Sequence, residues 1–199
     1  MKVLIACEFS GIVREAFKLR GHDAWSCDLL DTEILGQHII GDVLEILNDK
    51  WDLMIAHPPC TYLTNAGVRH LHDHVVSRLG NRTAIYGERR WEEMRKSAHF
   101  FNKLKNAPIN KICIENPIPH KYAKEIIGQY SQLIQPWQFG CGETKATCLW
   151  IKNLPLLKPT NIVEGRYARA HLQPPSPDRW KKRSRTYQVI ADAFASQWG

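Results

Sequence analysis

WDLMIAHPPC, residues Trp51 to Cys60, contains an apolar run, two prolines and a cysteine in direct succession. The run from Leu53 to Ala56 has the length and composition of a buried strand. We expect the strand to end before the prolines, because proline cannot donate to a sheet ladder. Ligands and catalytic groups of open α/β sheets collect at the carboxyl ends of strands, where Cys60 falls. Cys60 is therefore a candidate nucleophile, although the position also suits a small apolar cysteine that caps the core.

A second strand end carries an acid. The apolar run from Lys111 to Ile114 predicts another buried strand, and Glu115-Asn116-Pro117 follows it. Because the carboxyl ends of parallel strands meet at one edge of a sheet, we expect Glu115 to lie near Cys60. Partial burial disfavours an ionised carboxyl group, so the sequence predicts a raised pKa for Glu115.

The N-terminal part predicts a strand–turn–helix–strand unit. Its segments are a strand from Lys2 to Cys7, the turn Glu8-Phe9-Ser10-Gly11, a helix from Ile12 to Leu19, and a strand from Asp23 to Cys27 that ends at Asp28. In doubly wound sheets such a unit binds nucleotides, with ribose hydroxyls on the acid after the second strand. The turn holds one glycine, so no dinucleotide pyrophosphate site is predicted. Asp42, before a short helix from Val43 to Asn48, is a candidate N-cap and a candidate ligand contact.

The rest of the chain completes the predicted architecture. Further segments are a helix from Tyr86 to Leu104, an antiparallel strand pair from Ile134 to Phe139 and Thr147 to Ile151, and an amphipathic helix from Gln188 to Trp198. In the first helix, spacing predicts that Ile12, Ala16 and Leu19 face the core and that Arg14 faces solvent. We predict one α/β domain over residues 1–199, with a mostly parallel, doubly wound sheet.

Composition narrows the class of protein. The 199 residues carry a net charge of +7, which suits a polyanionic partner such as nucleic acid. The sequence contains no apolar run near the roughly 20 residues of a membrane span and no signal-peptide pattern, so we predict a cytoplasmic protein without membrane contact. The six cysteines form no C-x-x-C pair and are expected to be reduced. His70, His72 and His74 lack partners at zinc spacing, so no metal is expected.

Positive charge concentrates in residues 78–111 and 166–185. Residues 61–107 are predicted to form a helical basic insertion. Its cationic side chains are Arg69, Arg78, Arg82, Arg89, Arg90, Arg95 and Lys96. These residues are candidates for nucleic-acid contacts, and the alternative is a solvated helical face.

The motifs, in their order along nearly the whole chain, resemble those of the cytosine-C5 DNA methyltransferases. Pro58-Pro59-Cys60 is similar to the catalytic Pro-Cys loop of that family, and Glu115-Asn116-Pro117 to its Glu-Asn-Val motif. The Glu8–Gly11 turn resembles the cofactor turn, Asp28 the acid after the second strand, and Gly41-Asp42-Val43 the motif whose acid contacts adenine. Lys145 falls at the Gln-x-Arg segment, and the stretch 187–193, which contains Ala191, resembles the last motif.

This resemblance implies a small, phage-type methyltransferase with a Rossmann-like fold and S-adenosylmethionine as cofactor. Cys60 would add to C6 of cytosine, which activates C5, while Glu115 donates a hydrogen bond at N3. Lys145 or His57 would lower the pKa of Cys60. In duplex DNA the target base would have to be flipped out. The implied cofactor-binding residues are Glu8, Phe9, Ser10, Gly11, Asp28, Asp42, Pro58 and Ala191.

The sequence departs from the family pattern in ways that bear on the substrate. His57 stands where the family usually has Gly, Thr61 where it has Gln, and Pro117 where it has Val. The recognition stretch is reduced to residues 152–184, whereas sequence-specific DNA interfaces bury roughly 1,000–2,500 Å². We therefore expect a DNA substrate, duplex or single-stranded, with little sequence preference. Two alternatives stay open: the same chemistry on a free deoxycytidine nucleotide or RNA, and a catalytically silent protein that binds nucleic acid or cofactor. Oligomeric state is not predicted.

Overall fold

Seven strands form one sheet in the computed structural model, which describes residues 1–72 and 85–199. They are β1 (Lys2–Ala6), β2 (Asp23–Asp28), β3 (His38–Ile40), β4 (Leu53–Ala56), β5 (Lys111–Pro117), β6 (Gln132–Ile134) and β7 (Thr147–Lys152). Their order across the sheet is β3-β2-β1-β4-β5-β7-β6. Strands β1 to β5 are mutually parallel, and β7 runs antiparallel to both β5 and β6. The mostly parallel, Rossmann-like α/β sheet that the sequence predicts is confirmed.

Helices cover both faces of this sheet. They are α1 (Ile12–Lys18), α2 (Gly87–Lys105), α3 (Lys121–Ile127), α4 (Arg169–Leu172), α5 (Arg179–Ser184) and α6 (Gln188–Trp198), with short 3-10 helices at Val43–Glu45, Asn65–Leu71 and Pro136–Gln138. Leu4 of β1 packs with α2 and α3 on one face, and its neighbours Val3 and Ile5 pack with α1 and α6 on the other. The strand is apolar at successive positions because both of its faces are buried.

The register of the sheet brings the last residues of β1 and β4 level with Cys27 of β2 and Ile114 of β5. Ala6 of β1 pairs with Cys27 of β2 and with Ala56 of β4, and Ala56 pairs with Ile114 of β5. The next residue of each strand therefore lies in one row across the carboxyl edge. In spatial order this row reads Asp28, Cys7, His57 and Glu115. The row places the polar groups that follow separate apolar runs beside one another.

Helix α1 faces the core with Ala16, as predicted, and Ile12 packs against the same cluster, but the predictions for Leu19 and Arg14 are wrong. Leu19 is 82% exposed, whereas the side chain of Arg14 is fully buried. The Arg14 guanidinium donates to Ser26 Oγ at 3.0 Å and to Thr32 Oγ1 at 3.2 Å. Strand β2 supplies Ser26 and the loop before β3 supplies Thr32, so a cation with polar partners occupies a buried position that spacing alone assigns to solvent.

Three predicted boundaries are also corrected. Strand β5 continues through Glu115 to Pro117, because β7 pairs with it from Ile112 to Pro117. The strand predicted from Ile134 to Phe139 is instead β6 followed by the 3-10 turn Pro136–Gln138, which carries a capping box. The helix predicted from Val43 to Asn48 is a single 3-10 turn, Val43–Glu45. The antiparallel pairing of the two C-terminal strands is confirmed.

Candidate active site

A cavity of about 100 Å³ opens where β1, β4 and β5 end, and we call it the Cys60 cavity. It brings together Cys60, Glu115 and Lys145, the three residues proposed from sequence for catalysis. Its other lining residues are Cys7, Glu8, Phe9, Ser10, His57, Pro58, Pro117, Arg183, Ser184, Arg185 and Thr186. The strand ends thus supply a thiol, a carboxyl group and an imidazole, and the chain before β7 supplies an amine.

The loop that carries Cys60 is fixed by contacts to the two residues that follow the cysteine. The guanidinium of Arg90 donates to the Thr61 carbonyl at 3.1 Å. Nε2 of His120 lies 3.0 Å from the carbonyl oxygen of Tyr62. Arg90 is 7% exposed, so it is a structural residue of this loop and leaves the set of candidate nucleic-acid contacts. Cys60 is therefore held on a rigid support, as the two prolines before it predict.

His57 and Glu115 form a buried ion pair in the cavity. Nδ1 of His57 lies 3.4 Å from Oε1 of Glu115, and the side chains are 9% and 13% exposed. Burial alone raises the pKa of Glu115, but His57 and then Lys145 outweigh it and hold this pKa below its ordinary value. The predicted raised pKa of Glu115 is wrong for the free protein, because sequence reasoning did not pair this acid with His57.

The thiol of Cys60 is protonated in the resting site. Burial raises its pKa, and the nearby Glu115 carboxylate adds to the rise. Lys145 and Arg183 lower the pKa, but they do not outweigh burial. The expectation that a cationic neighbour lowers the pKa of Cys60 is therefore correct for the sign of the Lys145 effect and wrong for the net result. The free site holds a thiol and a carboxylate.

Lys145 is oriented by the segment that covers the cavity. Its Nζ donates to the carbonyl of Arg185 at 3.1 Å, and its backbone N–H donates to Gln135 Oε1 at 3.0 Å. Arg185 in turn pairs with Glu33 through two hydrogen bonds of 2.8 and 2.7 Å. The lysine is thus tied to the stretch after α5 on one side and to the chain before the Pro136–Gln138 turn on the other.

The turn after β1 closes the helix N-terminus with its own acid. Oε1 of Glu8 accepts from the backbone N–H of Val13 at 2.7 Å and from Ser10 Oγ at 3.0 Å, and Oε2 accepts from Arg14 N–H at 3.2 Å. Gly11 has a φ of 74°, a left-handed conformation that favours glycine. Because a carboxylate already occupies the positive end of α1, a phosphate group has no place there.

A second cavity, of about 380 Å³, lies beside the first, and we call it the Asp28 cavity. It contains Asp28 and Asp42, two of the proposed cofactor contacts, and it shares Cys7 with the Cys60 cavity. Asp42 is also the predicted N-cap, since Oδ1 accepts from Leu44 N–H at 2.9 Å. The remaining lining residues are Cys27, Leu29, Gly41, Val43, Pro59, Lys96, Ser97 and Phe100.

The structure separates some proposed contacts from this cavity and adds others. Pro58 lines the Cys60 cavity, whereas its neighbour Pro59 lines the Asp28 cavity. Ala191 is fully buried in the core beside α1 and lines neither cavity. Sequence reasoning missed Cys7, which has a left-handed φ of 58°, and missed Phe100 of α2. The helical periodicity of α2 predicts which residues face the core. It does not predict that residues on the side of the helix, such as Phe100, line a cavity.

Helix α5 places exposed cations at the mouth of the Cys60 cavity. Arg183 lines the cavity, and Trp180, which is 53% exposed, lies 5.9 Å from the ring of Phe9. On α2, by contrast, Arg95 pairs with Glu88 at 2.6 Å. Lys96 pairs with Glu93 at 2.7 Å, while Arg69 and Arg89 are exposed. Arg78, Arg82 and His74 lie outside the described residues.

The described part of the chain lacks the features of a metal site and of a membrane-spanning helix. Residues 1–72 and 85–199 contain no cluster of three or more His, Cys, Asp or Glu side chains arranged to hold a metal ion. Across these two ranges, none of the helices combines the length and apolarity needed to cross a membrane. All six cysteines are free thiols.

Comparison with known proteins reveals structural similarity but no similarity at the level of sequence families. The chain matches no protein-family model and no curated protein. Among solved structures it is similar to the crystal structure of a candidate DNA modification methyltransferase encoded within an E. coli prophage, with 15% sequence identity and a TM-score of 0.49. The match covers 87% of this chain and 55% of that chain, so this chain spans little more than half the length of that protein.

Proposed function

We propose that this protein transfers a methyl group from S-adenosylmethionine to C5 of cytosine in DNA. The observation that carries the proposal is the meeting of Cys60, Glu115 and Lys145 in one cavity, next to a second cavity that holds two acids. A thiol supplies the nucleophile that C6 requires, and a carboxyl group supplies the acid for N3. The two cavities adjoin at Cys7, so a methyl donor in the larger one can reach a base in the smaller one.

The residues of the Cys60 cavity carry the proposed reaction. A bond forms between Sγ of Cys60 and C6 of the ring, and the electron pair of the C5–C6 bond moves toward C5. The thiol proton is transferred to N3 by way of Glu115, which is a carboxylate in the resting site, so the ring gains no net charge. Lys145 lines the same cavity, so its positive charge can stabilise the Cys60 thiolate when the thiol loses its proton and again when the sulfur leaves C6. After the methyl group is bound at C5, the C5 proton and the thiolate leave the ring, and the N3 proton returns by way of Glu115 to the sulfur, which restores the cytosine ring and the enzyme.

The Asp28 cavity fits an adenosyl sulfonium better than a phosphorylated cofactor. Glu8 fills the anion position at the N-terminus of α1, which disfavours a pyrophosphate there. Asp28 is a hydrogen-bond acceptor for ribose hydroxyls, Asp42 is an acceptor for the adenine, and Phe100 supplies an aromatic surface for the adenine ring. S-adenosylmethionine supplies an electrophilic methyl group when bound.

Asp42→Asn is expected to weaken S-adenosylmethionine binding about tenfold or more in calorimetry, since a hydrogen bond to a charged group contributes roughly 1.5–3 kcal/mol. Asparagine keeps the N-cap oxygen for Leu44, so the fold is preserved and only the carboxylate is lost. Asp49→Asn, an exposed acid outside the cavity, is the matched control. Wild-type affinity in Asp42→Asn would remove this residue from the site.

DNA is the proposed polymer, and α5 is its proposed contact surface. Lys181, Lys182 and Arg183 follow one another on this helix, and Trp180 offers an exposed ring on which a base can stack. The reduced stretch 152–184 thus supplies cations at the cavity mouth. Much of the charge on α2 is buried or paired within the helix, so the described part of the basic insertion is the weaker candidate.

Arg183→Ala should reduce DNA affinity and lower the slope of log association constant against log salt by about 0.9 for one lost phosphate contact. Arg95→Ala removes the same charge from α2, where Arg95 already pairs with Glu88, and should leave the slope unchanged. Fluorescence anisotropy across a salt series measures both. If the two variants change the slope equally, α5 is not the contact surface.

Incubation with methyl-labelled cofactor and a panel of duplex DNA, single-stranded DNA, RNA and free dCMP tests the function itself. We expect label in cytosines of DNA, with single strands accepted at least as well as duplex because no base has to be flipped out. Label in RNA or dCMP alone would support the corresponding alternative substrate. Cofactor and nucleic-acid binding without transfer to any substrate would support the catalytically silent alternative.

A further inference from the structure

His57 is buried in the Cys60 cavity, and its two ring nitrogens form no hydrogen bond with the described residues. Its side chain is 9% exposed, and within the described residues neither Nδ1 nor Nε2 forms a hydrogen bond. The 3.4 Å between Nδ1 and Oε1 of Glu115 is an ion-pair separation, longer than a good hydrogen bond. Buried polar atoms normally have hydrogen-bond partners, so a buried imidazole that forms no hydrogen bond and lies beside a carboxylate is placed to take up or pass on a proton.

The imidazole of His57 is surrounded by groups that can exchange a proton with it or shift its pKa. Glu115 and Glu8 are the acids that face it, from the ends of β5 and β1. Lys145, which precedes β7, is the cation that acts on it, and Arg183 of α5 lines the same cavity. The thiols of Cys60 and Cys7 complete the titratable lining, beside Glu8, Glu115, Lys145, Arg183 and Arg185.

We propose that His57 and Glu115 act as one proton relay between the thiol of Cys60 and N3 of the target ring. This inference rests on the proposed function and assigns a role to the one residue of the His-Pro-Pro-Cys loop that departs most from the family pattern. His57 is a positioning residue in this role, because it acts through Glu115 and does not itself bond to the substrate.

The relay conserves protons at every step. In the resting site the pair holds one proton, on His57, and the thiol holds another. As the bond between Sγ and C6 forms, Nδ1 of His57 passes its proton to Glu115, and Glu115 passes its proton to N3. The proton that leaves the thiol returns the pair to its singly protonated state. The net change is transfer of the thiol proton to N3, so no proton comes from solvent and no further reactant is needed.

The relay predicts where activity depends on pH. Burial alone lowers the pKa of His57, but Glu115 and then Glu8 outweigh it and raise this pKa above 6.5. The pKa of Glu115 is held below its ordinary value, chiefly by His57. The pair holds one proton between these two values, so activity should fall as pH drops through the lower one and as pH rises through the upper one. In His57→Gln the alkaline limb reports Glu115 alone and moves to lower pH.

The experiment measures the rate of covalent trapping by 5-fluorocytosine single-stranded DNA between pH 4.5 and 9. We expect His57→Gln to lose on the order of 10²-fold in rate at pH 8.5 and far less at pH 5.5, within the range typical of acid–base groups. Added imidazole should increase the trapping rate of His57→Gly at least tenfold at pH 7.5. His22→Gln, at a histidine outside both cavities, is the matched control and should show the wild-type profile.

A second measurement does not depend on activity. The ring signals of His57 in a proton–carbon NMR titration should give a pKa above 6.5 in the wild type and a lower value in Glu115→Gln, where burial is no longer offset by the carboxylate. An unchanged His57 titration in Glu115→Gln overturns the relay. So does a His57→Gln profile that is lower at every pH but has its alkaline limb in the wild-type position. Absence of trapping in the wild type at every pH overturns the proposed function itself, which distinguishes the two failures.

Discussion

Cys60→Ser abolishes the covalent complex with 5-fluorocytosine DNA, which the wild type forms and keeps through denaturing electrophoresis. Fluorine at C5 cannot leave as a proton does, so the adduct between Sγ and C6 persists once methyl transfer has occurred. A serine hydroxyl is a far weaker nucleophile than a thiolate at this position and has no strong base beside it. The loss should exceed the detection range of the assay, the largest effect expected for any variant of this chain.

The control for this prediction is another cysteine. Cys141 is half-buried like Cys60 but lines neither cavity, so Cys141→Ser should trap DNA at the wild-type rate. Binding of S-adenosylmethionine by Cys60→Ser should match the wild type, because the Asp28 cavity does not include Cys60. Trapping by Cys60→Ser at the wild-type rate would refute the assignment of the nucleophile.

Glu115→Gln is expected to slow trapping by about 10²–10⁴-fold, the contribution typical of a general acid. The amide has nearly the same shape and can still donate a hydrogen bond, but it cannot release a proton to N3. Single-turnover rates at saturating DNA isolate this chemical step from binding. The adduct that does form should still map to Cys60, since the nucleophile is intact.

The matched control for Glu115→Gln is a carboxyl group of the same cavity with a structural role. Glu8 accepts three hydrogen bonds at the N-terminus of α1, so Glu8→Gln should lower thermal stability. Its single-turnover rate at a temperature where it is folded should fall much less than that of Glu115→Gln. Equal rate losses in the two variants would mean that Glu115 is needed for the shape of the cavity and not as an acid.

Local patterns in the sequence predict the elements that end at the site. The apolar runs of β1, β4 and β5 are buried on both faces, and their ends are marked by polar residues or proline. Parallel pairing then dictates that Cys60 and Glu115 meet, and the structure places both in one cavity. The apolar pattern and the right-handed connection of parallel strands are sufficient to predict this arrangement, because strands buried on both faces fit few other positions in a fold.

Charge states depend on contacts between distant parts of the chain, and these were not predictable from local pattern. His57 and Glu115 are 58 positions apart in sequence, and only the register of β4 with β5 brings them to 3.4 Å. The same reason explains Arg14 and Arg90. Each is a buried cation whose acceptors lie elsewhere in the chain, whereas the sequence predicted that Arg14 faces solvent and that Arg90 is a candidate nucleic-acid contact.

Peptide mapping of the trapped complex by mass spectrometry tests most directly whether this protein methylates C5 of cytosine through Cys60. After nuclease and protease digestion, the predicted result is a peptide containing Cys60 that carries the mass of a fluorocytosine nucleotide plus one methyl group. An unmodified Cys60 peptide, together with a DNA product methylated on an exocyclic nitrogen, would contradict it.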